Sequence, residues 1–194
     1  MMKRLMGVIS FTLLIGTMCV GVAAADTTAT ASATGNITGG SLSITTVSGS
    51  LTFSTTLTGR AVVVSSSTAP TFEVVDATGT GNGWNVAFTA TDFSSGAHTL
   101  TVSHLKFQPS GGTITVIDGS SGAGAPVEAG GSASVLDPTT GFKVLSAPVD
   151  GGMGTYRYTP LASKFTLDVP ADTYAGTGES AYSSTLTATV VSGP

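Results

Sequence analysis

The chain has 194 residues, of which only 9% are charged, and its formal net charge is −4. Its few basic residues form no cluster, which argues against nucleic acid as a partner, since that binding rests on concentrated cation–phosphate contacts. The single cysteine, Cys19, lies in an N-terminal apolar stretch, so neither structural disulfides nor thiolate metal sites are expected in the exported chain.

In chain order, the first feature is an address. Lys3 and Arg4 precede an uncharged apolar run over residues 5–22, and Ala23, Ala24 and Ala25 supply the small side chains that a signal peptidase reads. Residues 1–25 are therefore expected to be a cleaved signal peptide. Two rivals are weighed. The run is long enough to serve as an uncleaved membrane anchor, and Cys19 could be a lipid attachment point, although Gly16-Thr17-Met18 is a poor context for one. Cleavage after Ala25 leaves residues 26–194, with five basic against eleven acidic side chains and a formal net charge of −6. That length suits a single domain able to bury its own core.

Residues 26–40 are rich in Thr, Ala, Ser and Gly and read as loose chain or a first edge strand. A series of short runs with period two follows, around Leu42 and Ile44, residues 51–57, 61–64, 72–76, 84–90, 100–104, 113–116, 142–144, 156–158, 165–169 and 186–190. Period two places successive side chains on opposite faces, so these are expected to be half-buried strands. Thr and Val suit such a surface. Turns carrying Gly or Pro separate the runs, as in a sandwich or barrel. No window of residues 26–194 shows a helical stripe, and the frequent glycines oppose one. The fold expected is all-β, an antiparallel β-sandwich or flattened barrel of about 9–12 short strands. Residues 118–141 are expected to form a long surface loop or insertion, either functional or a disordered flap.

Residue types that support catalysis are present but not arranged for it. A serine nucleophile needs an oriented base, and no Gly-x-Ser-x-Gly elbow occurs. On one extended strand His98 and His104 would share a face about 20 Å apart, too far to share a metal. Asp76, Asp92, Asp118, Asp137, Asp150 and Asp172 stand singly, mostly near turn residues, and read as turn formers. No Asp-x-Asp array supports a calcium site, and no pair of acids suggests a glycosidase. Gly79, Gly81 and Gly83 precede a strand rather than a helix, so a turn is preferred over a phosphate cradle.

Two segments carry a more specific signal. One is Gly83-Trp84-Asn85-Val86, which holds the only tryptophan. The other spans residues 182–194, with Tyr182, Leu186, Ala188 and Val190 in alternation and a closing Gly193-Pro194. With Gly151-Gly152-Met153-Gly154 and Phe165-Thr166-Leu167-Asp168-Val169-Pro170, they resemble the WxL family of bacterial cell-surface domains. The likeness covers residues 72–194 and extends toward the whole exported chain. In that family a Trp-x-Leu follows a Gly-rich turn and a second lies near the C-terminus. Here the first is Trp84-x-Val86, and the second is Ala188-x-Val190, its tryptophan replaced.

The resemblance implies a secreted, extracellular, non-catalytic domain that associates non-covalently with the cell wall of a single-membrane bacterium. The partners it implies are peptidoglycan or another wall glycan, with other surface proteins as further candidates. No cofactor, no metal and, once the signal is cleaved, no membrane is implied. Candidate ligand-binding residues are Trp84, Asn85, Val86, Leu186, Ala188 and Val190. Trp84 has two readings, a core residue with Val86 and Phe88 on its face, or a platform on which sugar CH groups stack. Two other functions stay open: a structural subunit of an extracellular fibre or sheath joined through strand edges within residues 26–57, and an enzyme acting on wall glycan.

Overall fold

The computed structural model describes residues 28–176 and 181–194. The expected signal peptide and Cys19 lie outside them. Ile37–Pro194 form one compact unit.

The architecture is all-β and antiparallel, as the period-two runs require. One sheet has the order β1-β3-β12-β8, from Leu42–Ser48, Thr71–Asp76, Gly154–Thr159 and Thr113–Gly119. A second is β10-β7-β13-β2, from Ser134–Val135, Leu105–Phe107, Phe165–Val169 and Val62–Ser65. The third is β14-β4-β11-β9, from Leu186–Ser192, Trp84–Ala90, Phe142–Ala147 and Val127–Glu128. A hairpin of β5 (Phe93–Ser95) and β6 (His98–Leu100) completes the set. The sheets form a layered sandwich rather than a closed barrel. Strands exceed the 9–12 expected because β5, β6, β7, β9 and β10 have only two or three residues, too few to show a period.

Alternation becomes burial directly. In β4, Trp84, Val86, Phe88 and Ala90 are buried while Asn85, Ala87 and Thr89 are only half-buried. Phe88 lies at the middle of an aromatic group, with ring centroids 5.1 Å from Phe72, 5.6 Å from Phe107 and 6.2 Å from Phe165. Those four rings come from all three four-stranded sheets, so one core joins them. Stacked and tilted ring pairs at such distances add to the area they bury.

Two expected strands do not form. Residues 100–104 divide between the end of β6 and a 3-10 turn at Val102–His104. Residues 51–57 alternate Leu51, Phe53 and Leu57 with Thr and Ser, yet they belong to no strand ladder. Leu51 and Phe53 pack against the core, so the apolar face is used. Among the described residues the backbone of this segment is anchored at Thr52, whose N–H donates to Ser66 Oγ at 3.0 Å and whose carbonyl accepts the Ser67 N–H at 2.9 Å. Period two reports a buried face; a neighbouring strand must supply the ladder, and none lies beside residues 53–57 among the described residues.

Residues 118–141 hold the end of β8, a 3-10 turn at Gly122–Gly124, and strands β9 and β10. Leu136 is fully buried. Its carbonyl accepts the Ala90 N–H and its own N–H donates to Leu105, so it bridges β4 and the start of β7. Glu128 Oε1 accepts hydrogen bonds from the Tyr158 hydroxyl at 2.8 Å and the Gly112 N–H at 3.0 Å. Burial, and then Glu128 itself, pushes the Tyr158 phenol well above its ordinary range, so it remains the proton donor.

Asp76 and Asp137 close turns through their side chains, and Asp92 ties the two ends of the β5–β6 hairpin together. Asp76 Oδ1 accepts the Thr78 N–H at 3.0 Å, and Asp92 Oδ1 accepts the Val102 N–H at 2.7 Å. Asp137 Oδ1 accepts the N–H groups of Thr139 and Thr140 at 2.7 and 3.0 Å. These bonds, with the Thr139 hydroxyl first among them, lower the Asp137 carboxyl from 3.8 to about 2.

Two predictions follow from residues 118–141. Leu136→Ala should cost about 2–5 kcal/mol in denaturant unfolding; a cost below about 0.5 kcal/mol would place the segment outside the core. Asp137 is ionised more readily folded than unfolded, so its contribution is complete above pH 3.8 and fades as pH falls toward about 2. The stability gap between wild type and Asp137→Asn should therefore be flat near neutrality and narrow over that acid window.

Candidate functional site

The two signature segments are neighbours in space. Strand β14 pairs with β4 over seven residues, with Leu186 opposite Ala90, Ala188 opposite Phe88, Val190 opposite Val86 and Ser192 opposite Trp84. Residues 96 to 108 positions apart thus share one ladder. Beyond it, the Gly193 N–H donates to the Gly83 carbonyl at 3.0 Å, and Asn85 Nδ2 donates to the Gly193 carbonyl at 2.8 Å. The last residues are held by the same Gly-rich turn that leads into Trp84.

Trp84 is fully buried. Its indole N–H donates to the Gly152 carbonyl at 2.8 Å, and its ring centroid lies 6.0 Å from that of Tyr156. A buried indole N–H needs such a partner, because leaving it unpaired forfeits its hydration. Gly152 can approach because it lacks a side chain. Its φ is +72°, and a Cβ there would lie 2.3 Å from Ala147 Cβ and 2.7 Å from Trp84 Nε1. Gly83, at φ +69°, is confined similarly: a Cβ would meet the Ala147 carbonyl oxygen at 2.6 Å. Asp150 donates its N–H to the Gly81 carbonyl at 2.7 Å, which joins the two loops.

The predicted site residues therefore divide by face. Trp84 and Val86 point into the core, and Leu186, Ala188 and Val190 are half-buried against it. Trp84 offers no ring face to a ligand in this arrangement. Asn85 is the member that lies on the outer face. Where the family carries a second tryptophan, Ala188 sits opposite Phe88, and the aromatic mass at that level belongs to the Phe88 group.

The outer face of this sheet was missed from the sequence. Cross-strand partners share a face, so Thr187, Thr189 and Val191 of β14 lie beside Thr89, Ala87 and Asn85 of β4. Lys143 and Ser146 of β11 continue it, opposite Ala87 and Asn85. This surface combines hydroxyls and one amide with Ala87 and the exposed Val191, and Lys143 is its cation. The signal was present as the polar half of each alternation, which carries no motif of its own.

Elsewhere, His98 and His104 do not lie on one strand. His98 is in β6 and His104 ends a 3-10 turn at Val102–His104. The His98 ring stacks on Tyr174 at 4.1 Å. Among the described residues, no group of three His, Cys, Asp or Glu side chains is placed to hold a metal.

Trp84→Phe should destabilise by about 1–3 kcal/mol, since the Gly152 carbonyl loses its buried donor. Trp84→Ala should cost about 3–5 kcal/mol. Gly152→Ala should also destabilise, through contact with Trp84 and Ala147 and through its left-handed backbone. Chemical denaturation of the three proteins checks this, and wild-type stability for Gly152→Ala would contradict the close packing.

No curated protein and no solved structure matches the chain. The family model described as WxL domain, surface cell wall-binding, matches residues 23–194. That match spans nearly the whole sequence and includes both paired signature strands, so the chain belongs to the WxL family of cell-wall-binding surface domains, and it is an extracellular, wall-associated protein.

Proposed function

We propose that the wall partner is peptidoglycan, that the chain holds to it non-covalently without catalysing a reaction, and that the outer face of β14, β4 and β11 makes the contact. The observation that carries this reading is the ladder between the two signature strands. It presents Asn85, Thr89, Thr187 and Thr189 on one side, with Ser146 of the neighbouring β11 beside Asn85, supported from beneath by the core. Hydroxyl and amide groups both donate and accept hydrogen bonds, which suits the hydroxyls and N-acetyl groups of a glycan. The exported chain's formal charge of −6 disfavours anionic wall polymers through like-charge repulsion. The buried members of the signature support the face rather than touch the ligand.

Washed sacculi, with and without their anionic polymers extracted, test this by co-sedimentation. Wild type should be retained equally on both, without releasing soluble fragments. Thr187→Glu/Thr189→Glu should lower affinity at least about tenfold while its unfolding curve stays at the wild-type position. Retention lost on extraction would name the anionic polymer as partner, and undiminished retention of the double variant would remove this face from the contact.

A further inference from the structure

A cleft of about 960 Å³ opens beside residues 49–57, with Phe72, Leu105 and Leu167 in its lining. None of the described residues that line it is acidic or basic. Along its rim, Phe53, Ser54, Thr55, Thr56 and Leu57 lie outside any ladder, so their backbone N–H and C=O groups have no strand partner among the described residues. The cleft thus pairs an apolar interior with a stretch of backbone that has no ladder partner among the described residues, the two things that an added strand uses.

The same chain carries a segment of matching character. Residues 28–38 alternate strictly: Ala29, Ala31, Ala33 and Ile37, with Gly35, fall on one face, and Thr28, Thr30, Ser32, Thr34, Asn36 and Thr38 on the other. This is the pattern of a half-buried strand, yet residues 28–40 are exposed throughout and in no strand. Ile37 is 97% exposed, an unusual position for a β-branched apolar side chain in a strand-like pattern. Residues 28–38 of the arm carry no charge, which suits a cleft whose described lining has none, because burying an unpaired charge is costly. Five residues of the arm, 33–37, span the same length as residues 53–57, about 17 Å at the strand rise.

We propose that this arm of one copy adds as a strand to residues 53–57 of a second copy and places its apolar face in that copy's cleft. A second copy fits better than the chain's own cleft. The root of the arm is fixed at the start of β1, where the Gly40 N–H donates to the Ala77 carbonyl at 2.7 Å. The cleft is lined from the other end of that strand, at Thr46 and Gly49, roughly 20 Å further along. Self-insertion would require residues 33–37 to retrace the whole strand. Insertion into a neighbour is a head-to-tail contact whose two surfaces differ, so it propagates into an open chain of copies unless its rotation closes a ring. No part of this association needs the wall.

Sedimentation of the exported chain, residues 26–194, over rising concentration and without wall material tests it. Wild type should pass from monomer to dimer and larger species. Ala33→Asp/Ile37→Asp blocks the arm, and Thr55→Glu puts a charge at the cleft rim; each should sediment as a monomer. Mixed, they should form a one-to-one heterodimer and nothing larger, because one intact arm meets one intact cleft. A wild type that stays monomeric, variants that assemble as wild type does, or a mixture that stays monomeric would each overturn the proposal. Sacculus retention of the two single-site monomers separates this outcome from the wall reading, since neither altered surface belongs to the glycan-facing sheet.

Discussion

The ladder between β4 and β14 is the constraint on which the rest depends. It joins the entry of the folded core to the last residues of the chain, and it sets Trp84 at the level where its indole N–H reaches Gly152. From that bond the loop before β12 is fixed, and through Tyr156, whose hydroxyl lies 2.8 Å from the Ser120 carbonyl, so is the chain leaving β8. Contacts this distant in sequence carry a large loop-closure cost before they contribute. They persist because the buried aromatic area, the hydrogen bonds and the close glycines act at one place.

Charge contributes little to this fold. Arg157 meets Glu73 and Lys106 meets Asp168, each at 2.7 Å, but the side chains are a quarter to two-fifths exposed, and such pairs contribute about 0–1 kcal/mol. Stability rests instead on the Phe72, Phe88, Phe107 and Phe165 group and on backbone pairing. That is a sound arrangement for a chain with no disulfide to restrain its unfolded state, and it leaves the surface to Thr and Ser. The hydroxyl and amide groups of that surface are the ones the proposed glycan contact uses.

Much of this was legible in the sequence. Alternation in residues 84–90, 165–169 and 186–190 became strands because one face of each was apolar enough to demand a core. Turn glycines at 79, 81 and 83 read correctly as punctuation before a strand. Residues 51–57 show the limit: their period is as clear, but a ladder is a relation between two segments, and sequence alternation describes only one. Leu136 illustrates the converse. A single leucine between Gly-rich and Pro-containing stretches has no period to announce it, and its burial follows from where β4 and β7 pass. The site was legible as a pair of motifs, and the structure adds where their side chains lie. The residues that mark the family are the ones the core consumes, and the polar residues between them face outward without a pattern to single them out.

The most direct test of the account is hydrogen exchange at Trp84 Nε1 and at the backbone amides of β4 and β14, followed by NMR under native conditions. The Trp84 indole and the ladder amides of both strands should exchange only through global unfolding, with equal opening free energies that fall together in mild denaturant. Fast exchange along β14 while β4 stays protected would show a C-terminal segment resting on the domain rather than completing it, and would contradict the account.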